Sequence, residues 1–226
     1  NKGGPGCIDV ELPYMEPSQY QRAELIRKPQ SSYAVAAGDR INLSLNYEVI
    51  FEKTSTSELP AVDPPGLVTS PDIIKAVNMI IPHDRISPRE KAIRLLNFVN
   101  DWMTYDDSER KTPNAREALA TRRGVCEDYA LLYAAMCRAA GLPARVVYGL
   151  RKNKGSEIVP LHAWVEIDIG WGWQPVETVA NTQLSLADAV YIFWSRTRPE
   201  IKIKWQGNNN GFAPQFDIDT TWQVYR

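Results

Sequence analysis

The chain has 226 residues, with 26 Lys+Arg against 27 Asp+Glu for a formal net charge of -1, and is 44% hydrophobic and 23% charged. That is globular composition, enough for one sizeable core or a core domain with an appended piece. Balanced charge and a sequence pI near 6.2 argue against nucleic acid or an acidic membrane as partner, since such binders carry a basic excess, and the longest apolar stretch, Tyr129 to Cys137, falls far short of the roughly 18 residues of a transmembrane helix.

The chain opens Asn-Lys-Gly-Gly-Pro-Gly-Cys, without Met or an apolar leader, as a mature or trimmed form would. Cys7, Cys126 and Cys137 are odd in number, so at least one thiol is free and no disulfide framework organises the fold. His83 and His162 are the two histidines, and no Cys-x-x-Cys or His-x-x-x-His pairing occurs. No metal and no cofactor is expected.

Residues 1 to 32, rich in Pro, Gly, Gln and Ser, read as an extended lead-in. Between Ile41 and Phe51 apolar residues alternate with polar ones, the pattern of a half-buried strand. Asn42-Leu43-Ser44 matches the glycosylation acceptor pattern, but so short a match within a strand reads as chance. Pro60 to Pro71 reads as a linker into a helical region. Ser87-Pro88-Arg89-Glu90 is a capping box with Pro at the first helical position, and Ala92, Leu96, Val99 and Met103 follow at helical spacing, which predicts a helix over about 88 to 103. A short helix near 114 to 121 and a central one from Val125 to Ala140 follow, the latter with Gly141 at its C-terminal cap. Strands are then expected at Ala144 to Leu150, Leu161 to Ile169 and Trp173 to Thr178. The tail suggests a short helix near 185 to 194, then a hairpin of Ile201 to Gln206 with Thr220 to Tyr225. Helices followed by an antiparallel sheet make an α+β fold.

The chemistry gathers around Arg123-Gly124-Val125-Cys126-Glu127-Asp128. A cysteine at a helix start meets unpaired N–H groups and the positive end of the dipole, which stabilise a thiolate. Glu127 and Asp128 oppose that effect, so a cationic partner is needed, and a protonated histidine is the usual one. His162, at the start of a strand, is the candidate base. Glu166 and Asp168 share its strand face, but at about 3.3 Å per residue they lie roughly 13 and 20 Å away. The acid that orients the imidazole must come from the next strand, where Glu177 stands. A two-residue loop (Gly170-Trp171) or a four-residue loop (Ile169 to Gly172) sets Glu177 across from Trp164 on the face of His162, and a three-residue loop turns it away. Gly170 suits the first central position of a type II' turn.

These residues resemble the transglutaminase-like superfamily of papain-like thiol enzymes, in its microbial cysteine-protease-like branch. The likeness rests on Gly124-Val125-Cys126-Glu127-Asp128-Tyr129-Ala130, on Gly141-Leu142-Pro143-Ala144-Arg145-Val146-Val147-Tyr148-Gly149, and on His162-Ala163-Trp164-Val165-Glu166 followed by Trp173 and an acid four residues on. It implies an α+β core in which the cysteine helix packs on an antiparallel sheet bearing the histidine and the acid, with Cys126, His162 and Glu177 as catalytic residues and acyl transfer through a thioester. The family pattern has Asp, often followed by Pro-Thr, where this chain has Glu177-Thr178-Val179; Asp and Glu replace each other as orienters in other hydrolases. The Cys126 N–H is one oxyanion donor, and an upstream aromatic, Trp102 or Tyr105, is the candidate for the second.

The bland readings stand beside these. Cys137 reads as core, Cys7 as incidental and His83 as a solvated loop residue. Trp164 and Trp171 are substrate-binding candidates, with Trp173, although tryptophans in such strands often serve the core. Asp128 reads equally as a helix-start residue. Peptide or amide hydrolysis on a protein or peptide substrate is the favoured activity; protein-glutamine transamidation is the rival, and a non-catalytic module on the same fold is a second class. The expected organisation is an N-terminal extension (1–69), a catalytic core (70–180) and a C-terminal segment packing on the core (181–226). A bacterial source and an extracytoplasmic or cell-surface location are expected from the resemblance.

Overall fold

Ser70 and Ser87 each precede a proline, and each starts a helix. Proline has no N–H to lose at the first helical position, and the serine hydroxyl accepts an N–H that the first turn leaves unpaired. Ser70 Oγ takes the Ile73 N–H at 3.3 Å, and Ser87 Oγ takes the Glu90 N–H at 3.2 Å. The computed structural model describes residues 6–16, 18, 21–36, 39–50, 63–83, 85–108, 113–153, 158–181, 183–186, 189–195, 199 and 201–207. Its elements in chain order are β1 (Gly6–Glu11), β2 (Arg22–Arg27), β3 (Ser32–Val35), β4 (Asn46–Ile50), α1 (Pro71–Ile80), α2 (Pro88–Trp102), β5 (Thr104–Tyr105), α3 (Ala115–Thr121), β6 (Arg123–Gly124), α4 (Cys126–Ala139), β7 (Ala144–Asn153), β8 (Ile158–Asp168), β9 (Trp173–Val176), β10 (Ala189–Ser195) and β11 (Lys202–Gly207). They divide into two units, Asn1–Glu58 with Pro199–Arg226, and Leu59–Arg198.

In the first unit β1 lies between β11 and β3, with Ile8 opposite Trp205 on one side and Tyr33 on the other. Ile8 and Val10 are buried there against Leu12, Tyr33, Ile41, Leu43, Ile201 and Ile203. A second pairing joins β2 to β4. Strands therefore occur where an extended lead-in was expected. β2, Arg-Ala-Glu-Leu-Ile-Arg, is exposed at nearly every position, so it offers no alternation to read. The strand expected from Ile41 covers Asn46–Ile50, with Phe51 outside the described residues. The segment after Ile201 pairs with β1, and 220–225, its expected partner, lies outside the described residues.

In the second unit α4 is buried at every position from Tyr129 to Cys137. A helix apolar all round belongs inside a core, and α1, α2 and α3 pack against it together with β7 and β8. Each fully buried Leu or Met there contributes about 1.5–3 kcal/mol. The antiparallel sheet runs β10-β7-β8-β9. Val146, Tyr148, Ala163, Val165, Ile167 and Val176 join the core around α4, while Val147, Trp164, Tyr191 and Phe193 form a second apolar cluster. Helix α4 ends as expected, with Gly141 at φ +78, a conformation that glycine adopts without strain.

Two expectations fail in this unit. From Asp63 onward the Pro-rich stretch is packed: Arg138 grips Asp63 through two bonds of 2.5 and 2.7 Å, and Gly66 O accepts the Ala115 N–H at 3.0 Å. The segment expected as a helix near 185 to 194 instead supplies strand β10, paired to β7. Its run Val-Tyr-Ile-Phe-Trp is β-branched and aromatic, which favours a pleated, half-buried position. No helix among the described residues is long and apolar enough to cross a membrane.

Candidate active site

Cys126 is the first residue of α4, half-buried and free of disulfide. The preceding Val125 has no polar side chain to cap the helix, so Asp128 accepts the Val125 N–H at 3.0 Å from within the first turn. Gly124 makes room for that carboxylate, since a Cβ there would lie 2.5 Å from Asp128 Oδ2. Asp128 is thus a helix-start residue. Burial raises its pKa, against the pull of the Val125 N–H. Glu127 accepts the Tyr148 hydroxyl at 2.8 Å. Both carboxylates that oppose a thiolate are tied to donors.

The β8–β9 register sets Asp168 opposite Trp173 and Val165 opposite Val176, so the loop is the four-residue one. Gly170 (φ +103) and Gly172 (φ +83) take its left-handed positions, and Asp168 Oδ1 accepts their N–H groups at 2.8 and 3.2 Å. The two-residue type II' turn is not formed, yet the register is one of the two that bring Glu177 to His162. His162 Nε2 donates to Glu177 Oε2 at 2.7 Å, and both side chains are buried. A bulge in the β7–β8 pairing precedes His162, and Leu161 there has φ +50. Bulges re-aim side chains near functional sites, and a branched residue held left-handed costs about 1–3 kcal/mol.

Glu177 Oε1 accepts the Thr178 and Val179 N–H groups at 2.9 and 3.0 Å, and Oε2 also accepts the Tyr191 hydroxyl at 2.5 Å. Arg151 Nη1 lies 3.6 Å from the same Oε2. Burial raises the carboxyl's pKa, but the His162 bond and charge, the Tyr191 hydroxyl and the Val179 N–H outweigh it and hold it below the usual range. For His162, burial acts to lower the pKa; a hydrogen bond with Cys126, then the bond and charge of Glu177, overcome it and raise the value to about 9. Because Nε2 is engaged by Glu177, the bond to Cys126 falls to Nδ1.

The other residues singled out from the sequence separate. Tyr105 pairs across from Gly124 in the parallel β5–β6 contact and is 52% exposed. Its phenol pKa is raised, first by partial burial and then by the charge of Cys126. Trp102 is corrected as an oxyanion donor: its indole N–H is given to Leu119 O at 2.9 Å, and its ring stacks on Phe98 and under Arg122. Trp164 is 3% exposed beneath the His162 ring, so it supports the site instead of forming an open wall. Trp171, 84% exposed, sits on the β8–β9 loop, and at about 3.3 Å per residue that end of the strand lies roughly 20 Å or more from His162. Trp173 carries Arg145 over its ring. Cys137 is wholly buried, and burial raises its thiol pKa to about 12.

Sequence reasoning missed Tyr191, Arg151 and a pair of asparagines. Asn181 Nδ2 donates to the Glu177, Gln183 and Ser185 carbonyls, while Asn100 Nδ2 donates to Asn181 O at 2.9 Å. This fixes the chain after Glu177 to α2. The β-forming run at 189–195 was the available signal for Tyr191. Among the described residues no three His, Cys, Asp or Glu side chains gather as a metal site would require.

Residues 82–178 match the family model of the transglutaminase-like superfamily. A crystal structure of a candidate cysteine protease from Cytophaga hutchinsonii is similar over 91% of this chain and 83% of its own, at 17% identity and a TM-score of 0.56. The periplasmic domain of TgpA from Pseudomonas aeruginosa is matched over 79% of this chain and 70% of its own, at 19% identity and a TM-score of 0.46. No curated protein matches the sequence. The likeness to the transglutaminase-like superfamily thus covers residues 82–178, the stretch that carries Cys126, His162 and Glu177.

Proposed function

We propose that the protein is a thiol enzyme that cleaves amide bonds in peptides or proteins through a thioester on Cys126. The observation that carries this reading is the chain of contacts Cys126–His162–Glu177, with the 2.7 Å bond between His162 and Glu177 at its buried end. His162, raised to about 9 by its bonds to Cys126 and Glu177, takes the thiol proton in the reactive form, and the sulfur attacks the substrate carbonyl as a thiolate. Charge developing on the carbonyl oxygen meets the Cys126 N–H, which has no acceptor within an α-helix, and the phenol of Tyr105. His162 then protonates the departing amine, and the thioester forms as the C–N bond breaks. In the second half His162 takes a proton from water, which attacks the thioester and releases acid and thiolate. Glu177 stays ionised throughout and stabilises the imidazolium.

Hydrolysis is favoured over transamidation because an amine must outcompete water at the thioester, which requires water to be excluded. Tyr105 at 52% exposure and the half-buried Cys126 leave the nucleophile's side accessible to solvent. Incubation with a glutamine-containing peptide and a labelled primary amine tests the choice. Peptide fragments or ammonia are expected in excess over incorporated amine, in the wild type and not in Cys126→Ala. Amine incorporation well above both would make the protein a transglutaminase.

A further inference from the structure

Tyr191 comes from β10, beyond the end of the family match at residue 178. Its hydroxyl donates to Glu177 Oε2, the oxygen that also takes the His162 Nε2–H. The ring is clamped edge-on against Trp164, with centroids 5.4 Å apart and planes at 76°, and lies 6.0 Å from the His162 ring, so the hydroxyl has little freedom to leave. Oε1 is occupied by the Thr178 and Val179 N–H groups. A carboxylate has about four lone-pair sites, and these donors fill them. Where the family pattern has Asp, the longer glutamate reaches from the end of β9 to a hydroxyl on another strand.

We propose that Tyr191 is a positioning residue for the reaction: it pins Glu177 Oε2 beside His162 and keeps the carboxylate ionised, so that the orientation and the proton of the imidazole depend on a residue outside the matched domain. The consequence for Sγ rests on the thiol reading of Cys126 given above; the Tyr191–Glu177–His162 coupling does not. Tyr191 itself exchanges no proton. Without its hydroxyl the charged form of Glu177 loses a donor and protonates at higher pH, after which the imidazolium loses its support. The other groups facing the pair are Arg151 at Glu177 and Cys126 at His162, with Tyr105 in the field of Glu177. All remain in Tyr191→Phe, which also keeps the ring and its packing.

Two readouts test this. The first is the rate of alkylation of Cys126 by iodoacetamide against pH, followed by mass on a peptide cut after Glu127, which separates Cys126 from Cys137 and from Cys7. The second is the imidazole NMR spectrum, legible because His83 is the one other histidine. In Tyr191→Phe the acid limb of alkylation is expected to rise by about one pH unit, roughly a tenfold loss of rate on that limb, the scale of one hydrogen bond to a charged group. The His162 Nε2–H resonance is expected to move as well. The same substitution in Glu177→Gln should add no further change. An unmoved acid limb and resonance in Tyr191→Phe would overturn the proposal, as would an equal loss in both backgrounds, which would mean that the hydroxyl acts on packing alone. If the wild-type thiol were no more reactive than a free cysteine, the thiol-enzyme reading would fail, and the resonance would still decide the role of Tyr191.

Discussion

Two glutamates are buried in adjacent strands of one sheet, and each is paired with a cation. Glu166 on β8 meets Arg145 on β7, directly opposite, through Nε and Nη2 at 2.7 Å each, with both side chains 4% exposed and the guanidinium over Trp173. Glu177, just beyond β9, meets His162 at 2.7 Å and also draws Tyr191, Arg151 and two backbone N–H groups. A guanidinium keeps its charge at any pH a protein survives, so the first pair has one state and can only hold strands together. An imidazole has two states, and the second pair sits where that change can be coupled to a thiol. In the proposed mechanism, what separates the structural ion pair from the reactive one is the partner cation, since burial and distance are nearly the same.

Substitutions at the reactive end should carry the largest effects. Cys126→Ala is expected to remove turnover entirely while leaving the circular dichroism spectrum and the unfolding midpoint near wild type, since the residue is only half-buried. Glu177→Gln keeps the shape but loses support for the imidazolium; kcat should fall by about 10³-fold or more, the scale seen when the orienting acid of a triad becomes an amide. At the structural end the effect should move from rate to stability. Arg145→Ala leaves Glu166 buried without its guanidinium and is expected to cost about 3–5 kcal/mol in denaturant unfolding, with kcat per folded molecule unchanged.

The two pairs should also part with pH. His162 is raised from 6.5 to about 9 in the folded protein. Its contribution to stability is therefore complete below the unfolded value and is lost as pH rises through about 9. Glu177 is lowered, so its contribution is present above the ordinary carboxylate range and is lost on acidification. Urea midpoints measured from pH 6 to pH 10 should fall in the wild type and fall less in His162→Asn, whereas Arg145→Ala should leave the alkaline slope as it is. The smallest effect belongs to Trp171→Ala: at 84% exposure on the loop, it should change activity little and stability by less than about 0.5 kcal/mol.

The contrast between the pairs was only half legible in the sequence. Local signals carried the matched region: Ser87-Pro88 started α2, Gly141 stopped α4, and loop length limited Glu177 to registers that face His162 or turn away. Choosing between a two-residue and a four-residue loop needed the Asp168 carboxylate, whose bonds to the Gly170 and Gly172 N–H groups stabilise the longer turn. Partners distant in the chain could not be read. Tyr191 reaches Glu177 because β10 pairs with β7, about 40 residues earlier, and no local pattern specifies that pairing. Trp102 failed as a donor because a helical position says nothing about which carbonyl its indole will meet.

The central claim is that Cys126 is held as a thiolate by an imidazolium that Glu177 supports. Alkylation of Cys126 at pH 6, compared among wild type, His162→Asn and Glu177→Gln, tests it most directly. Fast reaction in the wild type, well above that of a free thiol at the same pH, is expected to drop to the free-thiol rate in His162→Asn and to fall between the two in Glu177→Gln. A wild-type rate equal to that of His162→Asn would contradict the claim and leave Cys126 as a structural thiol at the start of α4.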